Sequence, residues 1–134
     1  GQSSTRTFLT LGNLCKIVGE IDNAEKYYLS AIMEARNVDN VKAYIDASVE
    51  VAALYFDHGN LEAAERIYND LKKISKKYGD PDGESDADKG LGLLAWRRGD
   101  VERAEAIFKA LGIALRRATR KIGRRKIAST KGVL

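Results

Sequence analysis

The 134-residue sequence contains one cysteine, one histidine, one proline, one methionine and one tryptophan. One cysteine excludes an internal disulfide framework, and a single histidine leaves no zinc set and no Cys/His relay within the chain. Cys15 falls on an apolar stripe and reads as core, and His58, beside Gly59, reads as a helix-terminal residue. The lone proline lies in Gly79-Asp80-Pro81-Asp82-Gly83, the strongest loop signal of the chain. Its acids lack the distal glutamate of a calcium loop, so it reads as a capped connection. No apolar run approaches the roughly 18 residues of a membrane span, and no secretory leader pattern opens the sequence. A cytoplasmic protein with no cofactor is expected. Phosphate-loop and nucleophile motifs are missing too, and the carboxylates sit where helix starts and i, i+4 faces account for them, which argues against an enzyme.

Charge is unevenly spread. Of the 23 basic residues, eight lie in residues 116–134 with no acid among them, leaving 15 against 19 acids in residues 1–115. The basic end lacks the interleaved aromatics of a single-strand nucleic-acid reader, so nucleic-acid or anionic-surface binding through it stands as the alternative function. Arg116-Arg117-Ala118-Thr119 also matches a basophilic kinase site.

What the chain does have is repetition. Gly19-Glu20-Ile21-Asp22-Asn23-Ala24-Glu25 returns as Gly59-Asn60-Leu61-Glu62-Ala63-Ala64-Glu65 and as Gly99-Asp100-Val101-Glu102-Arg103-Ala104-Glu105, at a period of 40 residues. Each copy joins a helix-ending glycine to an acidic or amide cap and then to carboxylates in a positive first turn, so each reads as the tip of a helical hairpin. Apolar residues recur at helical spacing on both sides. Phe8, Leu11 and Cys15 precede the first tip, and Ile21, Ala24, Tyr28, Ala31 and Ala35 follow it. Val51, Ala52 and Tyr55 lead to the second, followed by Leu61, Ala64, Tyr68, Leu71, Ile74 and Tyr78. Leu91, Gly92 and Ala95 lead to the third, after which Val101, Ala104, Phe108, Leu111, Leu115, Ala118 and Ile122 continue one stripe into the basic region. No sustained alternation marks a strand.

These residues resemble the tetratricopeptide repeat, whose pattern is an aromatic, Leu-Gly, a second aromatic, then Ala-x-x-x-Phe. Phe8, Leu11-Gly12 and Ala24-Tyr28 meet it in the first copy. Val51-Ala52, Tyr55 and Ala64-Tyr68 meet it in the second, and Leu91-Gly92 and Ala104-Phe108 in the third. The family's closing proline is absent at Arg36, Lys76 and Arg116, and the period exceeds the usual 34. Both departures fit helices longer by about a turn, similar to Leu-Gly-Asn repeat proteins, a triplet that Leu11-Gly12-Asn13 spells. The resemblance implies an all-α, right-handed helical-hairpin solenoid of three repeats, six helices plus a basic C-terminal extension. The hairpins fall at about 4–38, 40–78 and 84–122 within a domain of residues 1–123, leaving 124–134 as a basic tail or the start of a further repeat.

It also implies a protein–protein interaction scaffold, in which the first helices of successive hairpins line a concave groove for a partner peptide or helix. The residues on that face are Arg6, Leu9, Asn13 and Lys16, then Asp46, Val49, Ala53, Phe56 and Asp57, then Asp86, Lys89, Leu93, Trp96 and Arg97. The carboxylate clamp of chaperone-binding repeats is not reproduced: its places hold Leu9 and Asn13, Ala53, Asp86 and Gly90, and only Asn13 matches. Asp46, Asp57 and Asp86 at the centre favour a segment with a basic residue near its middle. The surface around Phe108, Leu115 and Ile122, where an array needs a capping element, is expected to be covered by a fourth helix of a longer array or by self-association.

Overall fold

In a computed structural model of the chain, residues 2–120 and 122 are described, with side chains from residue 4 onward. Six α-helices follow one another: α1 Gln2–Ile17, α2 Ile21–Asn37, α3 Val41–Asp57, α4 Leu61–Lys77, α5 Pro81–Arg97 and α6 Val101–Ala110. Residues 115–120 are helical again, and no strand occurs among the described residues. The chain forms two compact units, Gly1–Ala87 and Asp88–Leu134, with the boundary inside α5. The class is the all-α, helical-hairpin solenoid expected from the sequence.

The five helices after α1 begin at residues 21, 41, 61, 81 and 101, and one joint explains that regularity. At each joint a residue with left-handed backbone ends the helix: Gly19 (φ 85°), Asp39 (53°), Gly59 (80°), Gly79 (67°) and Gly99 (85°). The next residue's N–H then reaches back to a carbonyl of the closing helix, as in Asn60 N to Tyr55 O at 2.8 Å and Asp100 N to Ala95 O at 2.9 Å. That same residue opens the following helix. The side-chain oxygens of Asn40, Asn60, Asp80 and Asp100 accept from the backbone N–H groups of Ala43, Ala63, Gly83 and Arg103 at 3.1, 3.3, 3.0 and 3.2 Å. Only the α1–α2 joint departs from this, since Glu20 makes no side-chain cap and instead accepts from Asn23.

Asp39 occupies the position that glycine fills in the other four joints. A Cβ in the left-handed region is strained, although aspartate tolerates it better than most residues. Asp39→Gly is therefore expected to raise stability by about 0.5–1 kcal/mol in urea unfolding, because relief of strain outweighs the entropy glycine adds to the unfolded chain. A loss of stability would show that the Asp39 carboxylate holds the turn. At this joint Arg36, which stands where the family has proline, donates to the Tyr44 hydroxyl at 3.1 Å and lies 5.2 Å from that ring's centroid. It ties α2 to α3 by a side chain rather than by a rigid φ.

Two boundaries and two inward-facing assignments differ from the sequence expectation. The loop at Pro81 is shorter, since Asp80 caps and Pro81 takes the first helical position, where its missing N–H costs nothing; α5 thus starts at 81 rather than 84. The stripe from Val101 to Ile122 is not one helix. Gly112 (φ 75°) repeats the joint, with Ile113 N bonding to Phe108 O at 2.8 Å, so α6 closes at Ala110. Tyr78 and Val101, read as inward, are 52% and 46% exposed because each lies at a helix terminus.

In the first unit α1 packs on α2, α2 on α3 and α3 on α4. The core centres on Ala24, Tyr28, Ala31, Ile32, Ala47, Val51 and Leu54, with Phe8, Cys15 and Tyr55 packed against it. Alanines predominate where helices cross, and Gly12 goes further. A Cβ there would stand 2.5 Å from Cε1 of Tyr28, so the bare backbone is what lets the ring lie flat on α1. In the second unit Gly92 plays the same part for Phe108, whose Cε2 would be 2.8 Å from an added Cβ.

Candidate functional site

Between α1 and α3 lies an open cleft of about 430 Å³. It is lined on one side by Thr5, Arg6, Leu9, Thr10 and Asn13, and on the other by Asn40, Lys42, Ala43 and Asp46. Four residues picked from the sequence, Arg6, Leu9, Asn13 and Asp46, thus meet in one place. Lys16 lies a turn further along α1 and pairs with Glu50 of α3 at 3.6 Å, so α3 turns its Glu50 edge toward α1. Val49 and Ala53 are half-buried on α3 near that edge, and Asp57 is exposed at the helix end. Lys89 and Arg97 are exposed, and Leu93 and Trp96 half-buried, on α5 in the second unit.

Phe56 is a correction, because it is 5% exposed. It lies one turn beyond fully buried Ala52 and so belongs to the inner face. Thr5, Thr10, Asn40, Lys42 and Ala43 were not anticipated. Thr10 could have been found by stepping one turn on from Arg6. Lys42 and Ala43 could have been found by stepping one turn back from Asp46. Thr5 is 1% exposed, and its hydroxyl is buried beside the cleft with no hydrogen-bond partner among the described residues.

The cleft's polar groups are set from behind. The Tyr28 hydroxyl, on α2, donates to Oδ1 of Asn13 at 2.5 Å. With that oxygen occupied, the Asn13 amide is left to offer its two N–H donors. Burial, then the charges of Glu50 and Cys15, push the Tyr28 phenol up to about 12, so it remains a donor at any physiological pH. Across the α2–α3 contact, Tyr55 donates to Glu25 Oε1 at 2.9 Å, and burial, then this bond, push it up to about 12. Tyr68 is pushed to about 12 as well, mainly by burial and then by Asp57, Asp86 and Glu50.

These shifts predict an alkaline limit to stability. In the unfolded chain the tyrosines ionise near 10, whereas in the folded protein these three hold their protons to about 12. Their stabilisation is thus complete below pH 10 and is lost as pH rises through about 12. Thermal melts should fall steeply over that interval, and Tyr28→Phe should flatten the fall. A melting temperature that declines no faster above pH 10 than below it would refute the assignment.

Among the described residues no group of three or more His, Cys, Asp or Glu side chains could hold a metal ion, and no helix is long and apolar enough to cross a membrane. Residues 5–38, the first hairpin, match the family model described as tetratricopeptide repeat. The fold is similar to the crystal structure of the TPR domain of Arabidopsis FLU, with a TM-score of 0.74 over 81% of this chain and 92% of that one, at 17% identity. At that identity the likeness speaks for the fold. No protein with a curated description matches. Tetratricopeptide folds in general mediate protein–protein interaction and are typically non-enzymatic scaffolds. Residues 5–38 are thus similar to one tetratricopeptide repeat, and the fold over most of the chain is similar to that of a tetratricopeptide-repeat domain.

Proposed function

We propose that this chain is a scaffold that holds a peptide or helical segment of a partner protein against the first helices of its hairpins. The observation that carries this reading is the α1/α3 cleft, which brings Arg6, Leu9, Asn13 and Asp46 together over a rigid buried support. In a fold whose general work is protein interaction, a groove with an apolar side chain between oriented polar groups suits a polypeptide. Lys89, Leu93, Trp96 and Arg97 carry the corresponding helical register on α5 and are proposed as contacts for the same class of partner.

The alternative, binding of nucleic acid or an anionic surface by the basic end, gains nothing from the comparisons, and residues 124–134 lie outside the described residues. Self-association at that end has less to drive it than the sequence suggested, since Phe108 is already buried against Gly92 and Leu115 is half-buried. The test is selection from a displayed library of random dodecapeptides, followed by mapping of a bound peptide through backbone amide shifts. Shifts concentrated on α1 and α3 support the proposal. Shifts confined to residues 115–134, or a failure to select any peptide, overturn it.

A further inference from the structure

Three charged side chains line the cleft, Arg6, Lys42 and Asp46, and two of them pair. Lys42 stands 3.4 Å from Asp46, and Lys16 stands 3.6 Å from Glu50, so the α3 acids nearest the cleft each already hold a cation. Arg6 lines the same cleft, is exposed, and has no ion pair among the described residues. The Asn13 amide, with its oxygen taken by Tyr28, adds two further donors. Among the charged side chains that line the cleft, Arg6 is therefore the one whose charge no partner among the described residues balances.

We infer that the α1/α3 cleft selects its partner segment by an internal aspartate or glutamate side chain seated on Arg6, a specificity that rests on the cleft being the partner site. A guanidinium can take a carboxylate through two parallel N–H bonds, which fixes orientation as well as charge. A basic side chain entering the cleft would meet Arg6 and would have to displace Lys42 from Asp46. The sequence expectation took Asp46, Asp57 and Asp86 together to favour a basic residue, and of these Asp46 already has Lys42 beside it. The site also differs from a terminal-carboxylate clamp, because Leu9, one turn before Asn13, supplies an apolar wall where that clamp needs a lysine.

The experiment uses the full chain and the dodecapeptide library described above. Selected peptides should be enriched in Asp or Glu at one position, flanked by apolar residues. One such peptide is then synthesised with the acid and with its amide analogue, and both are titrated against the wild type and Arg6→Gln. The acid-to-amide change should weaken wild-type binding by about threefold to tenfold, a surface ion pair's worth raised by bidentate geometry, and should leave the Arg6→Gln affinity nearly unchanged. Arg6→Glu should restore binding to the peptide bearing Lys at that position. Peptides that shift α1 and α3 but show no acidic preference, or an equal loss in both proteins, overturn the inference and leave the groove standing. If no peptide is selected, both readings fall.

Discussion

Tyr28→Ala is expected to destabilise the protein by about 3–5 kcal/mol, the range for truncating a fully buried aromatic side chain. Tyr28 is the largest side chain with no exposure, and it touches three parts of the structure at once. Its ring lies on bare Gly12, its hydroxyl supports Asn13, and its body belongs to the cluster with Ala31, Val51 and Leu54. Gly12→Ala approaches the same contact from the other side. The added methyl would collide with the ring at 2.5 Å, and with the ring locked in the core the cost should be about 1–3 kcal/mol. The two changes should not add, since the methyl introduced on α1 can occupy part of the space Tyr28 vacates, so the double variant should be more stable than the sum predicts. Urea unfolding of all four proteins tests this. A cost below about 1 kcal/mol for Tyr28→Ala would mean that the hairpin does not close on this ring.

Ala53→Arg is expected to lower affinity for a selected peptide by about a hundredfold while leaving the fold intact. Ala53 is half-buried on α3, one turn beyond Val49 and Glu50, where a long charged side chain would lie across the path of a bound segment. Anchors in such a groove are few and apolar, so blocking one place removes most of the binding energy rather than a share of it. Deleting residues 124–134 should leave affinity within about twofold at physiological salt, because a basic tail contributes mainly screened, long-range attraction. Calorimetric titration of both variants, with circular dichroism as the check on folding, decides the matter. Loss of binding on truncation with binding retained in Ala53→Arg would move the site to the tail.

Sequence legibility followed the physics of each feature. Hairpin tips were readable because a left-handed glycine, a capping residue and first-turn acids each have a strong residue preference, and all three recur together. The α2–α3 joint lacked this signature because Asp39 replaces glycine. Its evidence lay instead in Asn40 as a cap and in Arg36 and Tyr44, whose pairing is a tertiary fact. The break at Gly112 was hidden because Leu111, Leu115, Ala118 and Ile122 keep helical spacing across it, and spacing does not register one residue turning left-handed. At the candidate site, periodicity placed Arg6, Leu9, Asn13 and Asp46 on facing surfaces. It could not show that Lys42 would neutralise Asp46 or that Tyr28 would orient Asn13, since both depend on side-chain direction.

The joints have a further consequence for motion. At Asn40, Asn60, Asp80 and Asp100 a single residue closes one helix with its backbone and opens the next with its side chain. An isolated helix frays from its ends, but here fraying of one end would release the cap of its neighbour. Opening is thereby coupled in pairs across each of these turns, and the smallest independent breathing unit spans a joint rather than a helix. Glu20 provides no such link between α1 and α2. The first helix, which forms one wall of the cleft, is therefore held to α2 by its packing on Tyr28 rather than by a shared cap, so its C-terminal end can open without releasing the start of α2.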